Sequence, residues 1–119
     1  MFGFENLEVW QKSIEFSRLI YEFTRSFPAG ERFGLTSQMR RASVSISSNI
    51  AEGSSRSSKK DFARFVQLAY GSLMETVSQS HIAMQQEFLV EDRMAAIRSS
   101  AEELARMLSG LKRSLDKKP

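Results

Sequence analysis

A run of small and apolar residues in the middle of the chain, residues 40–53, limits the folds that the chain can adopt. Ser43, Ser45 and Ser47 alternate with apolar residues, as in a half-buried strand. Over a longer window, six residues recur at steps of three or four, which at about 100° per residue places them within about 80° of each other on one helical face. These residues are Leu35, Met39, Ala42, Ile46, Ile50 and Gly53. We therefore predict a buried central helix at about residues 36–54, with its neighbours packed closely against its small side chains.

Three further amphipathic segments flank the central one and predict helices at about residues 7–26, 58–88 and 91–116. The last segment has the most regular pattern, with apolar residues at alternating steps of three and four, as in a coiled-coil seam. Thr36 and Ser58 are expected to cap the second and third helices. Four amphipathic helices joined by short turns fold most simply as an up-down-up-down bundle. The predicted fold is therefore all-α, with residues 1–119 forming a single four-helix-bundle domain.

The first and third predicted helices carry more apolar surface than one bundle seam buries. Apolar residues cover about half of the circumference of the first helix, whereas an ordinary bundle helix needs a stripe of somewhat over about 100°. The surplus favours contacts between the subunits of a cyclic homo-oligomer, and the residues expected there are Phe16, Leu19, Phe23, Val44, Leu68 and Ile82. The alternative is that Phe16, Leu19 and Phe23 lie beneath the connecting loops. Gly71, in the middle of the third helix, is expected to allow another helix to approach closely.

The central helix also carries a motif. Arg40-Arg41-Ala42, Ser45-Ile46, the run Asn49–Gly53 and Arg56 resemble the core motif of the bacterial four-helix-bundle family encoded in intervening sequences of large-subunit ribosomal RNA genes. That family is related to the accessory variability proteins of diversity-generating retroelements. The resemblance reaches to about Ala83 and implies a four-helix bundle that assembles into a ring of five, a homopentamer, with no assigned biochemical activity. It marks Asn49, Glu52, Gly53 and Gly71 as structural motif residues. Val77 stands where the family often has a second acidic residue after Glu75, which removes the basis for a paired-carboxylate role there.

The composition offers little for catalysis. The absence of cysteine excludes disulfides and thiolate metal ligands. His81, the single histidine, has no carboxylate three residues before it, as a carboxylate-bridged metal pair in a helical bundle would require, and we expect it to be packed and hydrogen-bonded. We therefore predict no enzyme, no metal and no cofactor. The chain shows neither a signal-peptide pattern at its start nor an uncharged run of membrane-spanning length, so a cytoplasmic protein without a membrane partner is expected.

Positive charge is concentrated in one part of the sequence. Residues 32–64 contain seven arginines and lysines against two acidic residues, a net charge of +5, whereas the rest of the chain carries −2. The start of the third helix adds free backbone N–H groups and the positive end of the helix dipole, which also favour a phosphate. The candidate nucleic-acid-binding residues are Arg40, Arg41, Arg56, Lys59, Lys60 and Arg64. Since few aromatic residues interleave them, we expect phosphate contacts with little base specificity.

Two functions remain open at this point. The first is a cyclic oligomer that binds RNA or DNA, with structured RNA or a ribonucleoprotein favoured, through basic patches repeated around the ring. The second is an oligomeric interaction scaffold that presents a surface to a protein partner and binds no nucleic acid. A basic turn that only aids solubility is the simplest explanation of the charge.

Overall fold

The computed structural model describes residues 1–117, and Lys118 and Pro119 lie outside the described residues. Four long α-helices make up most of the chain: α1 at Glu8–Thr24, α2 at Leu35–Ser54, α3 at Lys59–Gln85 and α4 at Glu91–Asp116. Short 3-10 helices precede α1 and α2, at Gly3–Asn6 and Ala29–Glu31. Each helix packs against the next one, and α1 also packs against α4, in a body of 50 × 22 × 21 Å. The predicted all-α, up-down-up-down four-helix bundle is confirmed.

The core lies along the common axis of the four helices. The face predicted for the central helix is the one that α2 buries, with Met39, Ile46 and Ile50 fully enclosed and Ala42 and Gly53 buried. Each of the other helices contributes large side chains that are almost completely buried: Phe16, Ile20, Val66, Leu73, Ile97, Leu104 and Leu108. Because each such side chain stabilises the fold by about 1.5–3 kcal/mol on burial, this apolar seam is the main source of stability.

Hydroxyl groups join the central helix to both of its neighbours. Ser17 Oγ donates to Ser43 Oγ at 3.0 Å, which links α1 to α2. Ser72 Oγ donates to Ser45 Oγ at 2.9 Å, which links α3 to α2. The motif residue Asn49 supports the second link, because its Nδ2 donates to Ser45 Oγ at 3.1 Å and to the Ser45 carbonyl at 2.8 Å. The serines of α2 are therefore bonding groups as well as small spacers.

The two motif glycines differ in their surroundings. A Cβ atom built on Gly53 would lie only 2.6 Å from Phe65 Cβ and 3.0 Å from Phe62 Cδ1, so α2 and α3 meet too closely there for any side chain. A Cβ on Gly71 would meet nothing within 4 Å, and Gly71 is exposed. The predicted close approach at Gly71 is therefore wrong within the protomer, because Gly71 lies on the side of α3 that faces away from the other three helices.

The helix ends show how the chain satisfies its free backbone groups. Ser58 caps α3 as predicted, since its Oγ accepts from the Asp61 N–H at 3.1 Å. The predicted cap at Thr36 is wrong, because α2 begins one residue earlier and Thr36 lies buried in its first turn. There the side chain of Glu31 accepts from the Leu35 N–H at 3.1 Å. The third helix stops at Gln85, short of the predicted residue 88, because Glu87 adopts a left-handed conformation with φ of 65°.

Surface charges connect the first and last helices. Lys12 Nζ lies 3.5 Å from a carboxylate oxygen of Glu103 on α4 and 3.5 Å from one of Glu15 on α1. These carboxylates, Glu103 first, raise the pKa of Lys12 above its ordinary value, because they favour the charged form of its amine. Exposed ion pairs of this kind add little stability. Within residues 1–117, no helix combines the length and the apolar character needed to cross a membrane.

Candidate nucleic-acid interface

The six predicted nucleic-acid-binding residues do not form one patch. Arg40 and Arg41 lie in the second turn of α2, whereas Arg56, Lys59, Lys60 and Arg64 surround the turn that follows its last residue. Because an α-helix rises about 1.5 Å per residue, about 20 Å of helix separates Arg41 from Ser54 at the end of α2. The structure thus divides the predicted residues into two sites at different levels of the bundle.

The first of these residues, Arg40, is used within the protomer. Its Nε donates to Thr24 Oγ1 at 2.9 Å and its Nη2 to the Tyr21 carbonyl at 3.4 Å. Its guanidinium also lies over the ring of Tyr21, 4.7 Å from the centroid. Such contacts hold α2 against α1, use two of the five N–H donors of Arg40 and cover one face of its guanidinium. A role for Arg40 in phosphate binding is therefore not supported by its geometry.

Four of the predicted cations lie at the turn between α2 and α3, and two of them stack on one aromatic ring. Arg56 and Arg64 both lie over Phe65, with guanidinium carbons 4.6 Å and 4.9 Å from the ring centroid. Arg56 also pairs with the motif residue Glu52 at 2.8 Å, as the spacing of four residues predicts. Stacking on a buried ring restricts the motion of both guanidinium groups while leaving their outer edges in water. We refer to Arg56, Lys59, Lys60 and Arg64 as the basic turn.

The two lysines of the basic turn occupy the first two positions of α3. Both are exposed, and neither has a carboxylate within 4 Å in the part of the chain that the structure describes. Only Arg64 forms a long contact with the first-turn residue Asp61, at 3.8 Å. The lysine charges therefore add to the positive end of the helix dipole, at the place where a phosphate is favoured most.

The second site is a groove between α2 and α3, which contains Arg41. It has a volume of about 530 Å³. Its lining is mostly polar and consists of Phe33, Ser37, Gln38, Arg41, Ala42, Ser45, Glu75 and Gln79. We call this the α2–α3 groove. Of its residues, only Arg41 was predicted from the sequence to bind a ligand, and the groove adds Phe33 and Gln79 among others. The helical position of Gln79 gave a signal, because it shares the α2-facing side of α3 with Phe65, Ser72 and Thr76, where a glutamine is unexpected.

The residues predicted for subunit contacts have different positions in the structure. Phe16 is fully buried in the core of the protomer, so its predicted position on a subunit surface is wrong, and it does not lie beneath a loop either. Leu19 and Phe23 are half-buried and pack against the same core. The exposed fractions of Val44, Leu68 and Ile82 are 41%, 48% and 50%. Among the six predicted residues, the protomer thus leaves mainly exposed only those on α2 and α3, whereas the large apolar residues exposed on α1 are Ile14 and Tyr21.

The single histidine has a simpler environment than predicted. His81 is exposed, and its Nε2 lies 3.3 Å from Arg98 Nη1, so the expectation of a packed histidine is wrong, although the expected polar contact is present. No group of three or more histidine, aspartate or glutamate side chains within residues 1–117 is arranged to hold a metal ion.

Comparisons with known proteins show what the chain is similar to in fold and in sequence. The fold closely matches the crystal structure of a protein with unknown function from the S23 ribosomal protein family of Bacteroides thetaiotaomicron, with a TM-score of 0.79 and 24% sequence identity. The match covers 88% of this chain and 98% of the other. No curated protein sequence matches the chain. The sequence model of the 23S rRNA-intervening sequence proteins matches residues 5–110, in agreement with the resemblance seen in the central helix. The protein therefore belongs to the 23S rRNA-intervening sequence protein family.

Proposed function

We propose that this protein is a non-enzymatic, cytoplasmic RNA-binding bundle that acts as a cyclic oligomer and contacts RNA phosphates through the basic turn. The observation that carries the proposal is the pair of guanidinium groups, from Arg56 and Arg64, stacked over the ring of Phe65. Beside them lie two lysines that have no carboxylate partner within residues 1–117. A solubilising turn needs no such ordering. Arginines fixed on a ring lose less conformational entropy on binding a phosphate than free side chains do.

Phosphate contacts alone account for affinity without base recognition. The charges of the basic turn and the N–H groups at the start of α3 can bind backbone oxygens of RNA or DNA alike. A ring would repeat the same turn around its axis, so that several weak contacts act together. Arg40 is left out of the proposed interface because two hydrogen bonds and the ring of Tyr21 hold its guanidinium against α1.

A protein-interaction scaffold is the second candidate function. It is favoured by the apolar side chains of Leu68 and Ile82, which lie about half exposed on α3. The two residues are fourteen positions apart, so about 21 Å of helix separates them on nearly the same side. A partner protein or a second copy of the chain would have to cover that side of α3.

Binding of a fluorescently labelled RNA hairpin, measured by anisotropy over a range of salt concentrations, tests the proposal. The logarithm of the affinity should fall linearly with the logarithm of the salt concentration. Replacing Arg56, Lys59 and Lys60 together with alanine should weaken binding by about tenfold or more. The same replacement should reduce the salt slope by about one for each phosphate that the variant no longer binds.

A matched control removes the same charge elsewhere on the bundle. Arg18, Arg25 and Arg106 are exposed and lie outside residues 32–64, so their joint replacement with alanine changes the net charge equally. This control should retain most of the affinity. If the two triple variants lose the same amount of RNA affinity, the effect comes from net charge alone and the basic turn is not the binding site. Binding that does not depend on salt, or no binding at all, would refute the proposal. Sedimentation of the free protein tests the ring separately.

A further inference from the structure

The α2–α3 groove contains a polar group that the protomer does not satisfy. Gln79 is only 8% exposed, and its Oε1 is the one buried side-chain oxygen or nitrogen in residues 1–117 without a hydrogen-bond partner. A buried amide oxygen without a partner is costly, and most buried polar groups in proteins are bonded. A half-turn about the last side-chain bond exchanges the amide oxygen and the NH₂ group with little change of shape, so either can face the groove. In the free protein one end of the amide is enclosed, so a ligand in the groove meets both its donor and its acceptor only when the side chain turns outward, a movement that also gives the unpartnered oxygen a bond.

Two opposite charges line the same groove from different helices. Arg41 projects from α2 and Glu75 from α3, and both side chains are exposed. Neither forms an ion pair within 4 Å among the described residues, with each other or with any other group. Arg41 is thus free to bind an anion, and Glu75 is free to accept hydrogen bonds from a hydroxyl or an amino group.

An aromatic ring lies at one end of the groove. Phe33 is 88% exposed, which is unusual for a phenylalanine, and the guanidinium of Arg32 lies 5.3 Å from its ring centroid. Exposed rings with an adjacent cation are the surfaces on which single-stranded nucleic acids stack their bases. The ring therefore adds a flat apolar contact to the three polar groups.

A ribonucleotide matches these four groups together. Its base can stack on Phe33, and the edge of an adenine, with the N6 donor beside the N7 acceptor, complements a glutamine amide. Its phosphate suits Arg41. Its 2′-hydroxyl suits Glu75, since carboxylates commonly accept from ribose hydroxyls. The volume of about 530 Å³ falls in the range of small-ligand sites.

We infer that the α2–α3 groove binds one unstacked nucleotide of a single-stranded RNA segment, with adenine preferred. The inference rests on the proposed RNA binding and adds base selection to it. The basic turn then supplies affinity without regard to sequence, and the groove distinguishes bases. The little base specificity predicted from the sequence applies to the basic turn alone.

Three labelled dodecamers test the inference: oligoadenylate, oligouridylate and oligodeoxyadenylate. We expect the protein to bind oligoadenylate about tenfold more tightly than oligouridylate at equal salt concentration, the discrimination of one good amide contact to a base. Oligodeoxyadenylate should bind more weakly than oligoadenylate because it lacks the 2′-hydroxyl. Gln79→Met, which keeps the length of the side chain, should bring the ratio of the two RNA affinities close to one while leaving the salt slope unchanged.

Control variants keep the inference separate from the proposed function. Gln85→Met removes an exposed glutamine of α3 outside the groove and should preserve the preference for adenine. The triple variant of Arg56, Lys59 and Lys60 should lower the affinity for both RNA oligomers by the same factor. Salt-dependent binding without base preference, or a preference that survives Gln79→Met, overturns the nucleotide site and leaves the proposed function intact. Absence of binding to all three oligomers and to the RNA hairpin overturns both.

Discussion

The contact between α2 and α3 at Gly53 makes a quantitative prediction about stability. In Gly53→Ala the new Cβ would lie 2.6 Å from Phe65 Cβ and 3.0 Å from Phe62 Cδ1. Carbon atoms in contact prefer separations of about 3.5–4.0 Å, so the two helices must move apart by about 1 Å at this end of the bundle. The ring of Phe62 can turn away, but the Cβ of Phe65 moves only with its backbone. The helix backbones therefore bear most of the displacement.

The expected size of the effect follows from two opposing terms. Overpacking of a close contact costs about 1–3 kcal/mol. Alanine has a higher helix propensity than glycine by up to about 1 kcal/mol, and the gain is smaller near the end of α2. We therefore expect Gly53→Ala to lower the free energy of unfolding by about 1–2 kcal/mol, or the Tm by about 4 °C per kcal/mol in a domain of this size.

Gly71→Ala is the matched control, because it makes the same chemical change in a helix with nothing within 4 Å of the new atom. It should raise the free energy of unfolding by about 0.5–1 kcal/mol. Urea denaturation followed by far-UV circular dichroism, at several protein concentrations, measures both variants. If Gly53→Ala stabilises the protein as much as Gly71→Ala does, the close helix contact is refuted. A concentration-dependent loss of stability in Gly71→Ala would show instead that a second copy approaches α3 there.

Three further predictions concern single side chains. Arg40→Ala should destabilise the fold by about 1 kcal/mol because it removes the bond to Thr24, and it should not change the salt slope of RNA binding. Arg41→Ala should instead leave the Tm unchanged and weaken RNA binding. Melting curves and fluorescence anisotropy distinguish the two variants. Ser58→Ala should cost about 1 kcal/mol in urea denaturation because it removes the cap of α3, and a cost below the experimental error would contradict that role. Gln79→Met should stabilise the free protein by about 1 kcal/mol in the same assay, since it removes a buried oxygen without a partner, and a lower Tm would show that the amide is bonded.

Helical periodicity was sufficient to predict the bundle and the buried face of α2. Periodicity shows which residues share one face of a helix, and the main apolar face of α2, with Met39, Ile46 and Ile50, is the one that is buried. Periodicity does not show whether the remaining residues of a helix meet a neighbouring helix of the protomer. Gly71 is small enough for another helix to approach it closely, but it faces away from the bundle. Phe16 exceeds the apolar stripe that one bundle seam needs, but it is buried in the core.

The candidate sites show the same limit at the level of side chains. Arg40 and Arg41 are adjacent in sequence, yet a helix turns about 100° between them, so one is bonded to α1 and the other lines the groove. Periodicity places them on different sides of the helix, but it does not show which of the two finds hydrogen-bond partners on α1. The cap of Ser58 was predictable because it depends only on local spacing. The amide of Gln79 was not, since its lack of a partner depends on what two different helices place around it.

The hydroxyl bonds that join Ser17 to Ser43 and Ser45 to Ser72 have a consequence for how the bundle is aligned. Apolar seams tolerate sliding, because one methyl group packs about as well as the next. A shift of α2 by one helical turn, about 5.4 Å along its axis, would keep its apolar face toward the core but would separate both pairs of oxygens at once. Polar groups placed in this way select one register among several that apolar packing alone would allow. The four serines thus fix the register of α2 against α1 and α3.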